Sequence, residues 1–87
     1  MKRRVIYTSQ SLADAKKINA AGLRTRVEKL LAVLETNPFQ NHPAYEKLIG
    51  DLSGAYSRRI SIKHRLVYQV LKDQKVVKIL RMWTHYE

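Results

Sequence analysis

Two stretches, Arg65-Leu66-Val67-Tyr68-Gln69-Val70-Leu71 and Val76-Val77-Lys78-Ile79-Leu80-Arg81-Met82-Trp83-Thr84-His85-Tyr86, joined by Lys72-Asp73-Gln74-Lys75, decide the fold. Both runs are rich in β-branched and aromatic residues and the link between them is polar, the pattern of two antiparallel strands and their turn. A third such run, Ala55 to Ile62, precedes them, so the chain from Ala55 onward reads as a three-stranded meander. In the last run, strict alternation puts Val77, Ile79, Arg81, Trp83 and His85 on one face and Val76, Lys78, Leu80, Met82, Thr84 and Tyr86 on the other. Neither face is purely polar. That strand is therefore expected near the middle of a sheet, with helices packed on one side.

Upstream, Leu23, Val27, Leu30, Leu31 and Leu34 recur at helical spacing, with Arg24, Arg26, Glu28, Lys29 and Glu35 on the remaining faces. Asn37-Pro38 ends this helix, because proline disfavours the helical conformation in the residue before it. A loop-like stretch through Asn41, Pro43, Gly50 and Gly54 follows and carries Glu46. Before the long helix, Ser11 and Asp14 have the spacing of a capping box, and Leu12, Ala15 and Ile18 form a modest apolar stripe that ends near Gly22. Arg3 to Tyr7 reads as a first strand. The order β-α-α-β-β-β describes one α+β domain over residues 1–87, a helical hairpin packed on a mainly antiparallel sheet.

A chain of 87 residues holds one thin core, and its 45% apolar content, spread along the length, is that of a globule. With no cysteine, neither a disulfide nor a thiolate metal cage is available, and the composition suits a reducing cytosol. No apolar run approaches a membrane span, so a cytoplasmic location with no membrane partner is expected. Charge is the strongest compositional signal: 17 Lys and Arg against 7 Asp and Glu leave a formal +10. The natural partner of such a surface is a polyanion, although charge alone does not choose among RNA, DNA, anionic lipid and acidic protein.

His42, His64 and His85 are scattered over a loop and two strands without metal-ligand spacing, so no metal and no other cofactor is expected. No Gly-x-Ser-x-Gly elbow supports a serine nucleophile. The inventory suits a substrate that brings its own nucleophile, as RNA does with its 2′-hydroxyl. A base must then remove a proton, cations must hold the phosphate, and an acid must protonate the leaving oxygen. Glu46, the arginines Arg58, Arg59 and Arg65, and His85 supply these three types. Each has an ordinary alternative: a solvated loop carboxylate, a solvated sheet face, a terminal histidine. Tyr68, between Val67 and Val70, reads as core, while Trp83 and Tyr86 could stack on bases.

Glu46-Lys47-Leu48, Asp51-Leu52-Ser53-Gly54-Ala55-Tyr56-Ser57-Arg58-Arg59-Ile60, Lys63-His64-Arg65-Leu66-Val67-Tyr68 and Trp83-Thr84-His85-Tyr86, with the earlier Asn37-Pro38-Phe39, resemble the YoeB/Txe family of toxins within the RelE-like superfamily. The likeness is strongest in the C-terminal half. It implies a toxin that enters the ribosomal decoding site and cuts messenger RNA there without metal, is neutralised by an acidic antitoxin, and has a homodimer among its assemblies. It further implies Glu46 as general base, His85 as general acid and Arg65 as phosphate stabiliser, with Arg59 binding RNA and Tyr86 shaping the site. Where relatives commonly carry a lysine three residues after the glutamate, this chain has Ile49, and Lys47 is the available substitute. Two other readings stay open: a non-catalytic binder on the same scaffold, directed at DNA gyrase, and a basic RNA-binding accessory domain.

Overall fold

A computed structural model describes residues 3–40, 45–47, 54–62 and 64–84, with Lys72, Trp83 and Thr84 described in main chain only. Strand β1 (Arg4–Tyr7) leads to helices α1 (Ser9–Ala20) and α2 (Arg24–Thr36). Strands β2 (Tyr45–Lys47), β3 (Ala55–Arg59), β4 (Arg65–Leu71) and β5 (Val76–Thr84) follow, with a 3-10 turn over Lys72–Gln74. The sheet order is β1-β5-β4-β3-β2; β1 runs parallel to β5 and every other pairing is antiparallel. The expected helical hairpin on a mainly antiparallel sheet is therefore present, and β5 is interior as its two-faced pattern required. The additional strand is β2: Glu46, expected in a loop, sits in its middle, paired across from Ser57.

The helices cover one face. Ile18 of α1 and Val27, Leu30 and Leu34 of α2 meet Ile60, Leu66, Tyr68, Val77, Ile79 and Met82 in one core. The helical stripe read in α2 is the buried stripe. At the α1–α2 junction Gly22 adopts φ +74°, where a β-carbon would be strained. The Leu23 N–H then reaches back to the Ile18 carbonyl and the Gly22 N–H to that of Asn19, so the last carbonyls of α1 are satisfied as the chain reverses. None of the helices among the described residues is long and apolar enough to cross a membrane.

Three expectations are corrected. The third strand-like run ends at Arg59 rather than Ile62, because the chain turns back there: the N–H groups of Ile60 and Ser61 both donate to the His64 carbonyl. The cap of α1 is Thr8, not Ser11. Its hydroxyl accepts from the Ser11 N–H at 3.1 Å, and the Ser11 hydroxyl donates back to the Thr8 carbonyl at 2.8 Å.

Strict alternation in β5 also fails. Arg65 opposes Thr84, Val67 opposes Arg81 and Tyr68 opposes Ile79, so β5 gains a residue on β4 twice over this stretch. Each gain is a bulge that resets which face follows, and Met82 consequently joins Val77 and Ile79 in the core. Asp14, 3% exposed on α1, meets the irregular stretch: its carboxylate accepts from Arg81 Nε at 2.8 Å and from the Met82 N–H at 3.1 Å. The residue read as a helix-capping acid instead ties α1 to β5.

Candidate active site

Pairing across β2, β3 and β4 sorts the candidate residues by face. Directly opposed residues point to the same side of a sheet and neighbours along a strand point to opposite sides. Glu46, Ser57 and Val67 are in line, and Arg59 opposes Arg65, which opposes Thr84. Glu46, Ser57, Arg59 and Arg65 thus share the face away from the helices. Tyr45, Arg58 and Leu66 share the other face, as do Lys47, Tyr56 and Tyr68.

On the helix-free face Arg65 Nη1 lies 3.0 Å from Glu46 Oε1. The two side chains meet diagonally across β3, over Ser57, whose short side chain leaves the path open. Their exposures differ: 64% for the Glu46 side chain and 18% for that of Arg65. A half-buried guanidinium presents a fixed fork of donors, of which the carboxylate engages only part, so an anion can dock beside it. An exposed carboxylate held against that guanidinium is placed to accept a proton from a group on the bound anion. Arg59, exposed at the end of β3 beyond its pairing with β2, extends the positive charge along the same face.

Arg58, expected to contact substrate, is fully buried. Its Nε donates to the Tyr68 hydroxyl at 3.1 Å and its Nη2 to the carbonyls of Pro38 at 2.9 Å and Gln40 at 2.7 Å. The guanidinium carbon lies 5.1 Å from the Tyr45 ring centre. The Tyr68 ring centre is 6.0 Å away, and Phe39, Tyr45, Tyr56 and Tyr68 pack on one another, edge-on or stacked, with ring centres 5.3–6.1 Å apart. This is a buried cation holding the segment after α2 onto the sheet, and it is unavailable to a ligand. Tyr68, read as core, is core; its hydroxyl donates to the Pro38 carbonyl at 3.1 Å, and burial raises its pKa against the opposing Arg58 charge.

Lys47 is likewise corrected. It is exposed, but it is the strand neighbour of Glu46 and so belongs to the Tyr56 side, not to the Glu46–Arg65 face. Trp83 lies in β5 with its side chain outside the described residues, as are His85, Tyr86 and Ile49 altogether.

Sequence reasoning missed Ser57. It is 1% exposed and its hydroxyl has no hydrogen-bond partner among the described residues. Strand alternation with Arg59 was the signal that could have placed it on the site's face. No three His, Cys, Asp or Glu side chains among the described residues cluster as metal ligands would.

Comparison with known proteins agrees with this architecture. The family model for the YoeB-like toxin of bacterial type II toxin-antitoxin systems matches residues 7–86. A toxin YoeB of Streptomyces coelicolor is 46% identical over 52 residues, 60% of this chain and 62% of that protein, so the match spans about three fifths of its length. A Synechocystis toxin YoeB is 33% identical over 79% of this chain and 78% of its own. Among solved structures, a YoeB/ParE toxin from Agrobacterium tumefaciens superposes with TM-score 0.86 at 27% identity, covering 95% of this chain and 99% of that one. The toxin in a heterotetrameric YoeB-YefM toxin-antitoxin complex from Staphylococcus aureus gives 0.81 at 29% identity over 99% and 100%. With four fifths or more of its length matched by the family model and by these folds, the chain belongs to the YoeB-like toxins of bacterial type II toxin-antitoxin systems.

Proposed function

We propose that this toxin is a ribosome-dependent endoribonuclease that cuts messenger RNA at the decoding site without metal and so blocks translation. The observation that carries the reading is the Glu46–Arg65 pair on the open face of the sheet, an exposed carboxylate and a guanidinium held together at 3.0 Å, which suit a proton acceptor and a phosphate-binding cation. In this reaction the 2′-hydroxyl of one nucleotide gives its proton to Glu46 and its oxygen attacks the adjacent phosphorus. The bond to the 5′-oxygen of the next nucleotide breaks, and that oxygen takes a proton from His85. The products are a 2′,3′-cyclic phosphate and a free 5′-hydroxyl. Arg65 neutralises charge that builds on the phosphate oxygens, and Arg59 holds the strand. Trp83 and Tyr86, two residues before and one residue after His85, are assigned to the bases.

The site is sparse, which supports dependence on the ribosome. A protein that supplies few groups of its own relies on its host to hold the RNA in line, and such orientation is worth roughly 7–11 kcal/mol. The antitoxin is assigned an acidic segment that folds over the Arg59, Arg65 and His85 surface, where opposite charge speeds association. A second copy of the chain is a further partner, as in the YoeB dimer of Staphylococcus aureus, a structure 30% identical to this chain. Induced expression followed by mapping of RNA ends tests the assignment. Cuts confined to translated regions, with purified protein far slower on naked message, are expected. Intact messages together with stalled DNA gyrase would replace it with the non-catalytic reading.

A further inference from the structure

Between α2 and the end of β3 lies a second concave surface, a notch of about 380 Å³ lined by Arg26, Lys29, Leu30, Val33, Arg59 and Ile60. Its walls hold three cations and no carboxylate. The described ion pairs are Arg24–Glu28, Arg65–Glu46 and Arg81–Asp14, so none of the three cations has an acidic partner among the described residues. Arg26 is steadied by Nη1 at 3.5 Å from the Ile60 carbonyl. The nearest carboxylate in sequence, Glu28, is held by Arg24 and lines a different groove, with Leu12 and Lys16.

The first turn of α2 points the same way. It contains no acidic residue, its cap residue Leu23 offers no side-chain bond, and Arg26, which lines the notch, places positive charge at the positive end of the helix dipole, whereas Arg24 is met by Glu28. That arrangement disfavours the helix unless an anion lies close by. Like charges gathered around one concavity act in the same direction, and a bound phosphate relieves both.

We infer that this notch holds a nucleotide of the RNA strand outside the cleaved linkage, its phosphate against Arg26, Lys29 and Arg59 and its sugar or base over Leu30, Val33 and Ile60. Continuity selects RNA over an acidic protein. Arg59 both lines the notch and opposes Arg65 on β4, so one basic track runs from the reaction face around the end of β3. A polynucleotide repeats its charge at every residue along such a track, and the notch has the size of a small-molecule pocket with an apolar floor. The inference rests on reading the Glu46–Arg65 face as the place where RNA is cut.

The test compares the wild type with the double variant Arg26→Gln/Lys29→Gln. The probe is a short labelled 2′-O-methyl oligoribonucleotide, which binds but offers no free 2′-hydroxyl and cannot be cut. Fluorescence anisotropy across a salt series should give roughly tenfold weaker binding at low salt. The slope of log Kd against log salt should be smaller by about 1.4, as two cations cease to neutralise phosphates of a single strand. An unchanged melting temperature shows that the variant is folded. Equal affinity and equal slope overturn the inference. So does a variant that keeps RNA but loses an acidic Glu-Leu repeat peptide, which would make the notch a protein site. Because the probe is not cleaved, failure of Glu46→Gln to slow cleavage would remove the nuclease reading and leave this measurement to decide the notch by itself.

Discussion

Arg58→Ala should strongly destabilise this toxin without being a catalytic substitution at all. The guanidinium is fully buried, and three of its hydrogen bonds go to Tyr68, Pro38 and Gln40 while the Tyr45 ring lies beside it. Truncation removes those bonds, deprives the Gln40 carbonyl and the Tyr68 oxygen of a charged donor, and opens a hole beside the Tyr45 and Tyr68 rings. Hydrogen bonds from charged donors are worth about 1.5–3 kcal/mol each, and the Pro38 carbonyl is partly compensated because it still accepts from Tyr68. With the cavity added, a net loss of about 3–5 kcal/mol follows, the range for truncating a large buried side chain to alanine. In a domain of this size that lowers Tm by roughly 12 °C or more. Arg59→Ala, one residue along and exposed, should stay within about 0.5 kcal/mol of wild type. Thermal and urea unfolding of the two variants decides the point. An Arg58→Ala protein that melts with the wild type yet no longer binds RNA would refute the structural assignment and return Arg58 to the substrate surface.

Asp14→Ala leaves the buried Met82 N–H and the part-exposed Arg81 without their carboxylate at the bulged stretch of β5, and should cost about 1–3 kcal/mol in a urea titration; an unchanged midpoint would show that the pair holds nothing. Burial raises the Tyr68 pKa, so above pH 10 the unfolded chain gives up its phenolic proton before the folded one does, and stability should fall as pH rises from there. Tyr68→Phe, compared with wild type over that range, should show a shallower alkaline loss. Arg65→Ala should lower the cleavage rate by about 3–4 kcal/mol of transition-state stabilisation, with Arg65→Lys recovering only part because it lacks the planar fork; full recovery by lysine would mean that charge alone suffices.

The helical hairpin and the meander were legible because burial writes itself into periodicity: Val27, Leu30 and Leu34 repeat at helical spacing, and the strand runs are β-branched. Strand β2 was not legible, since three residues pairing with β3 carry too short a pattern to stand out from a loop. The bulges of β5 were hidden for a related reason. Each depends on its partner strand, and a single extra residue exchanges the faces of everything after it, which brought Met82 into the core. The site suffered most from parity. Arg58 and Arg59 had to point to opposite faces, as did Glu46 and Lys47, but only the pairing of β3 with β4 and with β2 says which member of each pair shares the face of Arg65. Asp14 was read locally, as a cap, because its partners lie at the far end of the chain.

The most direct test of the proposed chemistry is single-turnover cleavage of message bound to programmed ribosomes by Glu46→Gln and His85→Gln, with ribosome affinity measured on the same proteins. Both variants should bind as the wild type does and cut slower, each by roughly 10²–10⁴-fold, the usual scale of general acid–base effects. Bound message cut at the wild-type rate by both variants would contradict an acid–base pair made of these two residues.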